Sequence, residues 1–179
     1  MNLLHDISSG KNSPEVVNVI VEINKGSKNK YEIDKETGLI ALDRVMHTSQ
    51  DYPFDYGFIP QTYWGDNDPL DVVLLTTYPL LPGIIVKARP VAIMHMIDGG
   101  EPDEKIIAVP KDDPRWDAVT DLGGINAHTL KEIANFFATY KKLQNKEVIV
   151  GEYEGAQAAK DAVLLGQKIY QEKFGTMLK

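Results

Sequence analysis

The apolar residues of this chain repeat with a period of two over its first two-thirds and of three to four thereafter, a switch that restricts the folds open to it. Val17, Val19, Val21 and Ile23 share one face of a strand, with Asn18, Ile20 and Glu22 on the other. Lys30–Asp34 groups Lys30, Glu32 and Asp34 opposite Tyr31 and Ile33. Asp34-Lys-Glu-Thr-Gly38 then reads as a turn whose glycine suits a positive φ. Leu39–Val45 follows as a strand and sets Arg44 on the side of Ile40 and Leu42. Further strands are expected at Phe54–Ile59, Val72–Thr77, Ile84–Ile97, Ile106–Val109 and Val148–Val150. Many short strands at this spacing suggest a small closed or nearly closed barrel. Leu130, Ile133, Ala134, Phe137 and Tyr140 then describe an amphipathic helix, and Ala156, Ala159, Val163, Gly166 and Tyr170 a second. No linker separates helices from strands. The expectation is one α+β domain over residues 1–179, a barrel with two helices packed on its outside.

Composition narrows the chemistry. With 19 Lys+Arg against 26 Asp+Glu the formal charge is −7, a poor match to a general nucleic-acid binder. The chain has no cysteine, so disulfides, thiolate nucleophiles and iron–sulfur clusters are excluded. The first ten residues lack a basic and then apolar signal pattern, and Val91–Ile97 is too short to span a bilayer. A cytoplasmic protein with no membrane partner is the expectation.

The sharpest local feature is Asp66-Asn-Asp-Pro-Leu-Asp71, which runs directly into the apolar Val72-Val-Leu-Leu75. Three carboxylates within six residues repel one another unless a positive charge sits between them. A solvated acidic turn and a metal loop both remain open on this hexapeptide. An EF-hand fails, because Leu70, Asp71 and Thr77 stand where an oxygen ligand, a glycine and a glutamate are required. A second acidic cluster, Asp98, Glu101, Asp103 and Glu104, precedes Lys105. It reads as a solvated hairpin tip or as a second set of ligands, with Asp103 and Lys105 facing the same way. Mg²⁺ suits such carboxylates together with water and phosphate oxygens.

Cations and phenols occur singly. Lys30 and Arg44 fall on adjacent strands, Tyr52 and Tyr56 lie four residues apart, and Tyr140-Lys141 ends a helix. Each has a plain structural reading: a cross-strand ion pair, core packing with a polar tip, or compensation of a helix C-terminus. No nucleophile elbow, P-loop, dinucleotide fingerprint or H-E-x-x-H is present. His5, His47, His95 and His128 show no ligand spacing and read as structural or surface residues.

In order, these pieces resemble the soluble family I inorganic pyrophosphatases of prokaryotic type. Asp66-Asn-Asp-Pro-Leu-Asp-Val72 matches D-x-D-P-[apolar]-D-[apolar]. Around it stand Glu22, Lys30-Tyr-Glu32, Asp43-Arg44, Tyr52-Pro-x-x-Tyr56-Gly57, Ala88-Arg-Pro90, Asp98, Asp103-x-Lys105, Ala108-Val-Pro110 and Phe136-Phe-x-x-Tyr140-Lys141. The similarity runs from about Pro14 to the C-terminal helix. It implies a five-stranded OB-like barrel and Mg²⁺-dependent hydrolysis of pyrophosphate to two orthophosphates. It also implies several Mg²⁺ ions per site, with Mn²⁺ or Zn²⁺ as substitutes, and a homohexamer. By resemblance Asp66, Asp71 and Asp103 are ligands of the tightest metal, and Asp71 is shared with a second. Asp98, Asp103 and Glu32 meet the metals that arrive with substrate, and Glu22 supports them. Lys30, Arg44, Tyr56, Lys105, Tyr140 and Lys141 hold the phosphates, Asp68 is the general base, and Tyr52 lies close to the nucleophile. Ca²⁺, which binds carboxylates in looser geometry, is expected to inhibit.

The chain departs from the family pattern at Gly99, where many bacterial relatives carry a carboxylate, at Asn135 and Thr139, where histidines are common, and at Asp51, where a hydrophobic residue is common. Two other functions compete. One is a Mg²⁺-dependent hydrolase of another phosphoanhydride, and the other is a catalytically inactive divalent-cation or oligonucleotide-binding OB-like module. The intact Asp66, Asp68 and Asp71 set with Lys30 and Arg44 argues against the second.

Overall fold

The computed structural model describes residues 2–175. Nine strands form: β1 (Val17–Ile23), β2 (Asn29–Ile33), β3 (Ile40–Val45), β4 (Asp55–Phe58), β5 (Asp71–Leu74), β6 (Ile85–Asp98), β7 (Glu101–Pro102), β8 (Lys105–Pro110) and β9 (Val148–Gly155). Two helices, α1 (Ala127–Thr139) and α2 (Ala156–Phe174), complete the frame. Every expected element is present with ends within a few residues, except that β9 runs on to Gly155 and β7 and three short 3₁₀ turns are additional. Gly123-Gly124 closes one of those turns.

Five strands close a ring: β1 pairs β4, β4 pairs β5, β5 pairs β8, β8 pairs β6, and β6 returns to β1. The spacing of strands and turns suggests such a closed or nearly closed arrangement, and five strands is the number that the resemblance implies. Only the β5–β8 pairing is parallel, and it sets Asp71 opposite Lys105. The fourteen-residue β6 reaches far enough to carry β7 and β9 as well.

Alternation explains how the ring is filled. Val72, Leu74, Ile106 and Ala108 enter one core with Ala159 and Val163 of α2, while Val73, Ile107 and Val109 enter another with Ile133, Phe136 and Phe137 of α1. Both faces of the central strands are thus covered, so these segments are apolar at nearly every position. Gly57 is required by close approach: a Cβ there would lie 1.8 Å from the Ile20 carbonyl oxygen across the β1–β4 pair.

β2 and β3 form a separate hairpin standing off the ring. Gly38 at φ +72° closes its turn, donating its N–H to the Asp34 carbonyl. A bulge between Lys30 and Tyr31 shifts the register, so that Arg44 pairs with Lys30 whereas Leu42 pairs with Tyr31. This corrects the strict alternation expected of β3: Arg44 comes to the side of Lys30, not of Leu42, because the extra residue Asp43 reverses the parity. Leu42 and Val45 are left exposed.

Candidate active site

The ends of these elements converge on one polar cavity of about 380 Å³. Glu22 comes from β1, Lys30 and Glu32 from β2, and Arg44 from β3. Asp66 and Asp68 come from the loop before β5, Asp71 from the start of β5, and Asp98 from the end of β6. Asp103 and Lys105 enter at the head of β8, and Tyr140 and Lys141 just beyond α1. Tyr52 and Tyr56 rise from the segment around β4. Every residue to which the resemblance assigns a site role therefore lines this cavity.

At its floor, carboxylate oxygens of Asp66, Asp71 and Asp103 lie within 4.8 Å of one another. Tyr56 donates to Asp71 at 2.5 Å, and the buried Lys105 ammonium lies 2.6 Å from Asp71 and also bonds Asp103. Burial opposes the charge on Lys105, but Asp71 and Asp103 outweigh it and leave the ammonium firmly protonated. Asp103 is pushed up to about 7, chiefly by burial, with the Asp71 charge adding to it and Lys105 opposing. Asp66 is raised by burial and by Asp71. Glu22, at 5% exposure, accepts the Ile33 N–H at 2.8 Å and is pushed up to about 8 by desolvation and the nearby Asp71. These are carboxylates crowded beyond what one ammonium neutralises. An all-oxygen donor set of this kind fits a hard divalent cation.

The side walls carry cations. Lys30 bonds Glu32 and lies 3.5 Å from Asp43, while burial and the neighbouring Arg44 charge lower its proton affinity. Arg44 donates to Asp43 at 2.6 Å through one Nη, but its Nε and other Nη are buried with no partner among the described residues. Buried, unpaired donors are costly, and an anionic ligand would satisfy them. On the far side Lys141 pairs with Asp98, and the Tyr140 hydroxyl donates to the same carboxylate at 3.1 Å. Burial raises Asp98, yet these two partners outweigh it and hold its carboxyl below the usual range. Burial also raises the phenols of Tyr52, Tyr56 and Tyr140, which stay protonated as neutral donors.

The structural readings of single residues are partly visible too. Lys30–Glu32 is an ion pair within one strand, and Tyr52 and Tyr56 do pack in the aromatic core with Phe54, Phe136 and Phe137. Lys141 turns to Asp98 rather than to its own helix end. The second acidic cluster divides: Asp98, Glu101 and Asp103 face the cavity, whereas Glu104 turns away toward Trp64 and His95. Asp66–Asp71 is likewise not a freely solvated turn, since Asp71 is drawn into the buried network.

Lys35 is the participant that the sequence did not reveal. It lies in the β2–β3 turn, lines the cavity mouth and pairs with Asp68. Its charge had no periodic or motif signal, and only the folding of the hairpin over the Asp66–Asp68 loop brings it there. Among the described residues, no helix is long and apolar enough to cross a membrane.

Comparison with known proteins agrees with this geometry. A family model described as inorganic pyrophosphatase matches residues 19–171. An inorganic pyrophosphatase of Haloferax volcanii is 50% identical over 175 residues, covering 97% of this chain and 99% of the relative. Soluble inorganic pyrophosphatase 1 of Arabidopsis thaliana is 47% identical over 168 residues, covering 94% of this chain and 79% of the relative. The crystal structure of an inorganic pyrophosphatase from Thermus thermophilus superposes with a TM-score of 0.92 at 42% identity, covering 96% of this chain and 99% of that one.

Proposed function

The chain belongs to the inorganic pyrophosphatase family, and we propose that its cavity hydrolyses pyrophosphate to two orthophosphates. One observation carries the reading most directly: the three clustered carboxylates Asp66, Asp71 and Asp103 sit in the same cavity as Arg44, whose guanidinium keeps unpaired buried donors. A net charge of −7 opposes approach of a polyanion, so cation binding at the carboxylates is what makes the pocket receptive. Asp66, Asp71 and Asp103 would hold the tightest cation, Asp98 and Glu32 those accompanying substrate, and Glu22 would back them. Mg²⁺ is the cation we assign, Mn²⁺ or Zn²⁺ the substitutes and Ca²⁺ an inhibitor, since the donors are all oxygen. A bound divalent cation supplies positive charge at the phosphoryl oxygens and lowers the pKa of water.

The remaining work falls to the chain's own side chains. Asp68, half-exposed at the cavity edge, accepts the proton of the attacking water. Tyr52 lines the cavity close to that water. Arg44, Lys30, Lys105 and Lys141 neutralise the charge on the transferring and leaving phosphoryl groups, and Tyr56 and Tyr140 donate hydrogen bonds without adding charge. Residues 1–179 act as one such domain. A cytoplasmic hexamer belongs to the same reading, and exposed apolar side chains such as Leu42, Leu81 and Ile149 suit burial against further copies.

Orthophosphate release from pyrophosphate, measured with Mg²⁺ and with chelator, tests the proposal beside Asp68→Asn. Rapid release that needs the metal and collapses in the variant is expected. Folded, metal-loaded protein that releases nothing would favour the binding-module alternative. Release surviving Asp68→Asn would remove Asp68 as the base.

A further inference from the structure

The three floor carboxylates reach their places by different routes. Asp71 is fixed by the β5–β8 ladder, where it stands opposite Lys105. Asp66 belongs to a loop outside that ladder, and Asp103 to the short connection between β7 and β8. A cation bridging them needs a set spacing between two segments that strand pairing does not itself join.

Trp64 joins them. Its backbone N–H donates to the Asp68 carbonyl at 2.8 Å and its carbonyl accepts the Asn67 N–H at 3.2 Å, closing the loop that carries Asp66 and Asp68. Its indole Nε1 donates to the Glu104 carboxylate at 2.5 Å. Glu104 directly follows Asp103 in the chain, is only 17% exposed, and does not line the cavity. His95 faces Glu104 from the other side at 3.6 Å and lies 2.9 Å from Glu154 of β9. Beside this bond Gly65 packs on Pro102, where a Cβ would come within 3.4 Å. One hydrogen bond and one packing contact thus join residues 64–65 to residues 102–104. Glu104 is a partly buried carboxylate whose partners, Trp64 and His95, lie outside the cavity.

We propose that Trp64 and Glu104 form a positioning pair that holds the Asp66 loop at the Asp103 segment, and so sets the affinity of the carboxylate cluster for its divalent cation. The inference rests on the reading of Asp66, Asp71 and Asp103 as the metal site. Neither residue touches substrate. Their loss acts on metal occupancy, while the turnover of the fully loaded enzyme changes little.

The test is calorimetric titration of the metal-free full chain with Mg²⁺, in Trp64→Phe, Glu104→Ala, the double variant and Glu104→Gln. Both single variants are expected to raise the Kd of the tightest Mg²⁺ by about tenfold, as loss of a group supporting metal ligands does. The double variant should be no weaker than either single one, and Glu104→Gln, whose amide oxygen still accepts the indole N–H, should bind nearly as the parent does. Mg²⁺-saturated kcat should stay within about threefold of the parent. An unchanged Kd, additive losses in the double variant, or failure of Glu104→Gln to restore binding would overturn the pair. If Trp64→Phe does not fold, Glu104→Ala against Glu104→Gln decides alone. Asp66→Asn is the control on the premise: if it leaves the tightest Mg²⁺ unaffected, the metal site is misassigned, an outcome separate from failure of the pair.

Discussion

Lys105 and Asp71 stand opposite each other in the parallel β5–β8 pair, with the ammonium 2.6 Å from the carboxylate and the lysine only 2% exposed. The same ammonium bonds Asp103, so one buried cation answers two carboxylates. Removing one partner of such a group leaves uncompensated buried charge. Lys105→Met should therefore lower metal-free stability by about 3–5 kcal/mol in urea unfolding. A loss below about 1 kcal/mol would show that the carboxylates relax by taking up protons or water instead.

The Lys35–Asp68 pair behaves differently because it is open to water, its side chains 59% and 46% exposed. Exposed ion pairs contribute about 0–1 kcal/mol, so Lys35→Ala should melt close to the parent protein. Lys35 also reaches the Asn67 carbonyl at 3.4 Å and so ties the hairpin turn to the loop of the proposed base. Freed from that tie, Asp68 should be less well placed, and kcat should fall by about tenfold with Lys35→Arg retaining most of it. Full activity in Lys35→Ala would mean that the loop needs no such support.

Glu22 makes stability depend on pH in the metal-free protein. Its carboxyl is raised from 4.5 to about 8 in the fold, so between those values the unfolded chain has released a proton that the folded chain keeps. Stability is then complete below about pH 4.5 and is lost as pH rises toward 8. Asp103, raised from 3.8 to about 7, acts in the same direction. Melting in chelator should thus move to lower temperature from pH 5 to pH 8, and Glu22→Gln should flatten that slope. A slope identical in parent and variant would place the titration elsewhere.

Because the floor carboxylates repel one another, Mg²⁺ should stabilise the fold by binding the native state. At about a hundredfold excess over Kd the gain is roughly 2.7 kcal/mol, visible as a higher Tm than in chelator. Equal melting temperatures would show that the cluster binds no cation in the folded protein.

Gly57→Ala tests the ring itself. Its Cβ would overlap the Ile20 carbonyl oxygen, a backbone atom that cannot turn aside. The variant should lose several kcal/mol of stability, or fail to fold, and circular dichroism melting measures the loss.

Much of this molecule was legible in the chain. Period-two segments such as Val17–Ile23 and the three-to-four spacing of Ile133 and Phe137 follow from local geometry, and they placed strands and helices within a few residues. Asp66, Asp68 and Asp71 announced a site by sheer density of charge. Isolated residues did not announce themselves: Lys30, Arg44 and Lys141 acquired meaning only as members of an ordered series. Lys35 and Trp64 belonged to no series and stayed hidden, and Glu104, visible in its acidic cluster, gave no sign that it faces Trp64.

By itself, then, the sequence determined where the backbone alternates, where it coils, and which charges lie next to one another along the chain, because those depend on neighbours within a few positions. Tertiary structure decided the rest. The bulge at Asp43 turned Arg44 to the side of Lys30, and the parallel pairing of segments 34 residues apart put Lys105 between Asp71 and Asp103. Burial and mutual charge, neither of which exists before the chain folds, then set which of Glu22, Asp98 and Asp103 hold their protons near neutral pH.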